Sequence, residues 1–536
     1  MDTASRLREA LSRAAEKTRA RSVAPHRTTR EDLVAWAGSH LRGRRFVIAS
    51  NREPYTHSRA EDGTIRWTRN AGGLTVALDA VMQALGGVWV AHGNGDADRE
   101  SSDERGRVAC PPDRPSYTLR RMWLTERDHE RYYSGASNTA LWPLCHIAYV
   151  RPRFNVADWA SYEDVNRRFA ETILDETGDG PALVFIQDYH LGLVPKFLRE
   201  RRPDLVLAQF WHIPWPNPEV FRILPWREQL LDGLLANDVL GFHIRHHALN
   251  FLEAVGEFVE ARVDYDQLAI NRGSRRTWLR PFPISVPADE IGAMADSSEA
   301  LRVETRLRTE LGLDGIRVGL GVDRMDYTKG IPDRLEAIER LFERHPEWVG
   351  RFAFIQIGVP SRIELEEYQR VLRRTRTLAA RINRKFPRPG GPTVHLIEAN
   401  LDFRELVPYY RLADLCAVTA LHDGMNLVAK EYVSACTDLE GALVLSPFTG
   451  AARELERAYL ASPYDREGLA DALHAALSED VETRRERMRA LRETVQRNNI
   501  YDWAIDVLDT VDRLVLQTPS PAEGLPAPAV AEKGDN

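Results

Sequence analysis

The sequence predicts an α/β protein made of two parallel-sheet domains that face each other across a cleft. Three observations predict it. The chain's 536 residues exceed what one compact core organises, so two domains are expected. Short apolar runs alternate with helical patterns of about 10–15 residues, the mark of right-handed βαβ units. That alternation occurs twice, on either side of a less regular stretch near 258–290 that carries Pro281, Pro283 and Pro287, where the hinge is placed. Each half therefore reads as Rossmann-like, and the loops after the strand C-termini of both halves border one cleft.

Taken in order, residues 1–44 form a charged, Arg-rich helical extension with Leu7, Leu11 and Ala14 at helical spacing. The first domain spans 45–285. Its strands are read at 46–50, 88–91, 117–124, 183–186, 205–210 and 239–242, with a polar loop from the first strand to Asn70 and an irregular aromatic stretch over 132–143. Gly72-Gly73 opens a helix that runs to about Leu85. The second domain spans 286–480, with strands at 316–322, 352–358, 394–398, 415–420 and 442–446. A last helix over about 481–515 is long enough to cross back to the first domain, and the Pro/Ala-rich tail 516–536 predicts disorder.

Composition narrows the function classes. A hydrophobic content of 43% and a charged content of 28% are those of a soluble globular protein. A net charge of −7 provides no general attraction for nucleic acid or an anionic membrane. No apolar run is long enough to span a bilayer. Cys110, Cys145, Cys416 and Cys436 are scattered and form no Cys-x-x-Cys pair, as expected of buried thiols in a reducing compartment. The N-terminus has no signal-peptide core, and Asp2, Glu9 and Glu16 oppose a transit peptide, so a cytoplasmic location is expected.

The chemistry is concentrated at strand ends. The run at 415–420 feeds a turn at Asp423-Gly424 and then a helix from Asn426, which aims backbone N–H groups at an anion. Asp423 and Glu431 lean to one helical face, about 12 Å apart along the axis, a span that suits a nucleotide sugar. Arg324 and Lys329 bracket the loop after the 316–322 strand and can neutralise a departing diphosphate. Asp188 and His212 end strands of the first half, suited to gripping sugar hydroxyls. Gly72-Gly73 lets a phosphate approach backbone, and Arg52, Tyr133, Trp142 and Arg362 suit a second anion and sugar site. Taken singly, each is equally served by solvated charge, helix capping or core packing; their coincidence at strand ends in both halves carries the reading.

Other motifs fail. Gly319-Leu320-Gly321 lacks the third glycine of a dinucleotide fingerprint, Arg324 standing in its place. There is no Walker A loop and no nucleophile elbow. Asp96-Ala97-Asp98 matches an Asp-x-Asp metal motif but reads here as a solvated acidic turn.

From about 45 to about 514 these segments resemble the trehalose-6-phosphate synthases, retaining glycosyltransferases of family 20 with the GT-B architecture. The motifs are Ser50-Asn51-Arg52, Ala71-Gly72-Gly73-Leu74, Tyr132-Tyr133 with Leu141-Trp142-Pro143, Asp188-Tyr189-His190, His212-Ile213-Pro214, Arg324-x-Asp326-Tyr327-x-Lys329-Gly330, and Asp423 through Glu431. The resemblance implies transfer of glucose from UDP-glucose to glucose 6-phosphate, giving α,α-trehalose 6-phosphate and UDP. It implies an acceptor-binding first domain and a nucleotide-sugar-binding second domain. Catalytic roles fall to Asp188, His212, Arg324, Lys329 and Asp423. Donor binding falls to Gly72, Gly73, Arg324, Lys329, Leu401, Asp423, Leu427, Val428, Ala429, Lys430 and Glu431, with Glu431 on the ribose. Acceptor binding falls to Arg52, Tyr133, Trp142, Asp188 and Arg362. It implies no cofactor and no metal.

The implied partners are small molecules. A homo-oligomer is compatible with the pattern, and a separate phosphatase is needed because no phosphatase domain follows. Two features depart from the family: a longer, charged 53–70 loop, and His92-Gly93-Asn94-Gly95-Asp96 after the strand that contains Trp89. Both border the acceptor side, which leaves open the alternative of a glucosylglycerol-phosphate synthase or related transferase with another phosphorylated acceptor; a catalytically silent sugar-phosphate-binding subunit is the remote alternative, opposed by the presence of Arg324, Lys329, Asp423 and Glu431.

Overall fold

The computed structural model describes residues 27–70 and 73–517. The expectations for 1–26, for Gly72 and for the tail from 518 onward lie outside the described residues.

The first domain is built on a ten-stranded sheet. In chain order its strands are β1 (Arg45–Arg52), β4 (Val88–His92), β5 (Arg107–Cys110), β6 (Tyr117–Met122), β7 (Ala182–Gln187), β8 (Val206–Trp211), β9 (Val239–Phe242), β10 (Arg262–Asp264), β11 (Ala269–Arg272) and β12 (Arg275–Pro281), with the hairpin β2 (Tyr55–Arg59) and β3 (Ile65–Arg69) set apart from them. Their order across the sheet is β10-β11-β12-β9-β8-β7-β1-β4-β6-β5, parallel from β12 through β6. Strands β7 and β8 are buried on both faces, which is why they read as continuous apolar runs.

The second domain is a six-stranded parallel sheet of β13 (Arg317–Arg324), β14 (Phe352–Val359), β15 (Val394–Ile397), β16 (Leu415–Val418), β17 (Ala442–Leu445) and β18 (Tyr459–Leu460). Its order is β15-β14-β13-β16-β17-β18.

The strand orders locate the site. In the first sheet the chain leaves β1 toward β4 on one side and returns to β7 on the other. In the second it leaves β13 toward β14 and returns to β16. Both places are topological switch points, where adjacent loops diverge and open a crevice. Arg52 ends β1, Asp188 follows β7, Arg324 ends β13 and Asp423 follows β16.

Besides the edge strands β5 and β18, which the sequence reading did not include, four stretches differ from the sequence expectation. The 53–70 loop contains the β2–β3 hairpin, paired from Tyr55↔Arg69 to Arg59↔Ile65. Its turn holds Asp62-Gly63 with Gly63 at φ 80°, a hairpin signal present in the sequence. The aromatic stretch at 132–143 is helical: a π-helix, His129–Leu141, followed by an α-helix, Trp142–His146. Most of the stretch assigned to the hinge is β10–β12, which extends the first sheet, so the crossover narrows to the segment after Pro281.

The last helix is two helices, Val481–Arg497 and Ile500–Val511. Asn499 breaks it by accepting bonds from the backbone N–H groups of Tyr501 and Asp502 as an N-cap. The first piece stays on the second domain, where Arg492 donates to the carbonyls of Val433 and Ser434. The second piece reaches the first domain: Trp503 lies against Phe185 and Phe210 and donates from Nε1 to the Phe282 carbonyl at 3.2 Å.

Candidate active site

A cleft of about 370 Å³ lies between the two switch points, within the size range of small-molecule sites. Of the residues expected to form the site and described, Arg52, Gly73, Tyr133, Trp142, Asp188, His212, Arg324, Lys329, Arg362, Leu401, Asp423, Leu427, Val428 and Glu431 line it. Ala429 and Lys430 do not. Ala429 is fully buried on the inner face of the helix Leu427–Ala435. Lys430 Nζ turns to Glu454 (2.6 Å) and to the Ile284 carbonyl at the domain crossover (2.9 Å). Successive residues turn by about 100° on a helix, so Ala429 and Lys430 have come round to its buried side.

The second-domain bank begins at the loop after β13. Asp326 caps the short turn Tyr327–Lys329 by accepting from the Thr328 N–H at 3.0 Å. The Leu421 N–H then donates to the Thr328 carbonyl at 2.7 Å, stitching this loop to the one after β16. That stitch brings Lys329 Nζ to 2.5 Å from Asp423 Oδ2. Burial works against ionisation of Asp423, but Lys329 overrides it and holds the carboxyl down at about 2. Asn426, at φ 80°, donates to Asp423 Oδ2 (3.2 Å) and caps the Leu427–Ala435 helix, so one strained residue orients both the carboxylate and a helix N-terminus. Gly424 is required here by contact: a Cβ would sit 2.3 Å from the His212 carbonyl oxygen of the opposite domain.

The first-domain bank is an aromatic and cationic cluster. Arg52 Nη2 donates to the Tyr133 hydroxyl at 2.9 Å. Arg362 crosses from the loop after β14 to stack on Trp142 (4.6 Å) and Tyr133 (5.8 Å), while Arg324 stacks on Trp142 at 5.1 Å. Burial alone would raise the Tyr133 phenol, but Arg52 and then Arg362 bring it down to about 7. A buried phenol lowered by two guanidinium groups marks a place prepared for an anion. Glu364, next along the same loop, accepts from Ser134 Oγ at 3.0 Å, and Glu367 pairs with Arg153 at 2.8 Å, so this loop fastens the two domains together.

Asp188 and His212 lie between the banks. Asp188 has φ 73°, an unfavourable value for a non-glycine residue, and Oδ1 accepts from the His212 N–H at 3.2 Å. Burial pushes its carboxyl up to about 7, opposed by the backbone N–H groups of Tyr189 and His212. Burial likewise keeps His212 neutral, well below its ordinary value. Its Nε2 lies 2.9 Å from Gln187 Oε1, an acceptor, which places the ring proton on Nε2 and leaves Nδ1 as an acceptor.

Gln187, Tyr189, His190, His243, Tyr410 and Asn426 also line the cleft and were given no binding or catalytic role from the sequence. Gln187, Tyr189 and His190 flank Asp188, Asn426 lies three positions after Asp423 and His243 follows β9, so a place at a strand end was the available signal. Tyr410 gave none.

Two sequence features acquire different meanings. The Gly319-Leu320-Gly321 run makes room for side chains beneath the sheet: a Cβ at Gly321 would lie 2.2 Å from Nη1 of the fully buried Arg334, which pairs with Asp323 at 2.7 Å. Asp98 is not solvated. It is fully buried, 2.9 Å from Arg121, which also binds Glu53 at 2.7 Å, and together they seat the β2–β3 hairpin. One cation between two buried carboxylates leaves Glu53 raised to about 8, by burial first and then by its bond to Asp98.

Among the described residues one group, His345, Glu347 and His474, offers metal-ligating atoms within reach of one another. It lies away from the cleft, and its two imidazoles stack at 3.6 Å with planes only 7° apart. One of the ring nitrogens, His474 Nδ1, already accepts from the Trp348 indole N–H at 3.1 Å.

Comparison with known proteins agrees with this arrangement. A family model described as Glycosyltransferase family 20 matches residues 44–513. The trehalose-6-phosphate synthases of Mycolicibacterium smegmatis and Mycobacterium marinum are each 39% identical over 474 residues, covering 87% of this chain and 92% and 93% of theirs. Among solved structures, trehalose-6-phosphate synthase from E. coli bound with UDP-2-fluoro glucose aligns with a TM-score of 0.76 at 30% identity, over 88% of this chain and 99% of that one. The UDP-forming α,α-trehalose-phosphate synthase of Burkholderia xenovorans, in complex with glucose-6-phosphate, aligns with a TM-score of 0.77 at 30% identity, over 87% and 99%. Its two facing parallel sheets and the match across nearly all of its described length make this chain a member of glycosyltransferase family 20.

Proposed function

We propose that this protein is a retaining glucosyltransferase that moves glucose from UDP-glucose to glucose 6-phosphate, releasing UDP and α,α-trehalose 6-phosphate. One observation carries the reading: a single cleft is lined by a row of four cations, from Lys329 at Asp423, through Arg324 and Arg362 over Trp142, to Arg52 at Tyr133. A nucleotide-sugar donor and a phosphorylated acceptor present two anionic groups at opposite ends with neutral sugars between them.

In this reading Arg324, Lys329 and the N-terminus of the Leu427–Ala435 helix neutralise the diphosphate as the glycosidic bond to UDP breaks. The charge they meet grows in the transition state, so they accelerate the step rather than merely bind substrate. The Lys329–Asp423 contact fixes the ammonium in place before substrate arrives and leaves the other carboxylate oxygen for a sugar hydroxyl. Asp188 and His212 hold hydroxyls at the reacting centre, and a departing phosphate oxygen receives the acceptor's proton on the face from which it leaves. Arg52, Arg362 and Tyr133 hold the acceptor phosphate, and Trp142 packs against its sugar. The reading calls for no metal.

The protein is proposed to act in the cytoplasm and to pass its product to a separate phosphatase. No helix among the described residues is long and apolar enough to cross a membrane.

The test is a matrix of nucleotide-glucose donors against phosphorylated acceptors, read as nucleotide release with the product identified by NMR. UDP-glucose with glucose 6-phosphate should give the fastest release and an α,α-linked product. A faster reaction with glycerol 3-phosphate would move the assignment to a glucosylglycerol-phosphate synthase, and no turnover with any pair would leave a sugar-phosphate-binding subunit.

A further inference from the structure

The nucleotide end of the cleft contains a residue that the proposed roles leave out. The helix Phe403–Leu412 begins at the capping residue Asp402, just after Leu401. It presents Leu406 and Tyr410, four positions apart on one face, to the cleft. Tyr410 is 1% exposed, and its hydroxyl donates to Glu431 Oε2 at 2.7 Å. The other oxygen, Oε1, faces the opposite domain and lies 3.1 Å from where a Cβ would stand at Gly73. One oxygen of the carboxylate is therefore tied from behind and the other points across the cleft.

We infer that Tyr410 is a positioning residue of the donor site, which orients Glu431 so that its free oxygen accepts from the ribose diol of the nucleotide. This rests on the proposed function, which places the ribose at Glu431. Burial pushes the Glu431 carboxyl up to about 7, and the bond from Tyr410 is what opposes the rise. Asp323 and Cys416, on the strands behind, are the other titratable groups that act on Tyr410. Without the hydroxyl, Glu431 would be a buried carboxylate short of one donor, and such groups take up a proton instead. A protonated Glu431 offers one acceptor fewer to a diol.

The experiment is Tyr410→Phe, which removes one oxygen and keeps the ring. Donor KM should rise roughly tenfold, the scale of one hydrogen bond to a charged group. kcat should change less than twofold, and acceptor KM should stay at the wild-type value, which also reports that the variant is folded. kcat/KM for the donor should fall on acidification with a midpoint near 7 in wild type and about one unit higher in the variant. UDP should bind the variant more weakly than it binds wild type, whereas 2′,3′-dideoxy-UDP should bind both equally, since it has no diol to lose.

A donor KM and acid limb unchanged in the variant, or an equal loss for both nucleotides, would overturn the inference. Should Tyr410→Phe not fold, wild-type binding of the two nucleotides across pH decides: the acid limb must appear for UDP and vanish for the dideoxy analogue. Absence of UDP binding or glucose transfer by wild type would instead remove the functional reading beneath it.

Discussion

Lys329 and Asp423 lie 94 positions apart in sequence, yet their side chains meet at 2.5 Å at the base of the cleft. The contact joins two loops that leave adjacent strands, β13 and β16, at the switch point of the second sheet. An ammonium held this way loses little freedom when a diphosphate arrives, and preorganised charge stabilises a transition state better than mobile charge does.

Replacing Lys329 by Ala should therefore lower kcat by about 10²–10³, the scale seen when one such charge is removed. The fold should persist at a lower melting temperature, because Asp423 keeps the Asn426 bond but loses its cation. The check is UDP release under saturating substrates alongside a thermal melt. Near wild-type turnover with an intact melt would take Lys329 out of the mechanism.

Arg362→Ala should act on the other substrate. Its guanidinium stacks on Trp142 and Tyr133, and acceptor KM should rise at least about tenfold on losing a charge-assisted contact. UDP affinity should stay within about threefold of wild type by calorimetry. The Tyr133 phenol should titrate higher in the variant, since one of the two cations that lower it is gone. A fall in UDP affinity instead would place Arg362 on the donor side.

Asp188 should reveal itself through pH. A carboxyl raised in the folded state holds its proton from its ordinary value of 3.8 up to about 7 while the unfolded chain has already released it. Stability then falls as pH rises through that window and stays reduced above it. Asp188→Asn removes the cost of ionising a buried carboxyl, so its melting temperature should exceed wild type by at least about 2 °C at pH 8. The gain should shrink toward zero by pH 4, while activity is lost at every pH. A melting difference independent of pH would contradict a raised Asp188.

Gly424→Ala tests how closely the domains meet. The added methyl would lie 2.3 Å from the His212 carbonyl oxygen and 2.8 Å from His243 Cδ2. The two banks must part or the backbone must shift, at a cost of about 1–3 kcal/mol. kcat should fall at least tenfold by roughly the same energy scale, and the melting temperature should drop. Kinetics and melts matching wild type would mean that the domains need not approach this closely.

Much of this molecule was legible because it is local. Apolar runs of strand length, helical spacing between them and the Asp423-Gly424 break are set by residues within a few positions of one another. They marked out six of the ten strands of the first sheet and five of the six of the second, and located the strand ends where Arg52, Asp188, Arg324 and Asp423 stand. The β2–β3 hairpin was equally local but hidden, because its strands are rich in charged and polar residues and one face is largely exposed.

The amino-acid sequence by itself determined two α/β halves, a cleft between them and the identity of most of the charged residues lining it. Only the tertiary structure decided which side chains touch. It paired Lys329 with Asp423, sent Lys430 to Glu454 rather than into the cleft, buried Asp98 against Arg121 and set Tyr410 behind Glu431. The reason is physical: periodicity and turn chemistry are carried by neighbours along the chain, whereas the partner of a buried charge is whatever distant segment the packing brings within about 3 Å, and desolvation makes that choice costly to leave unmade.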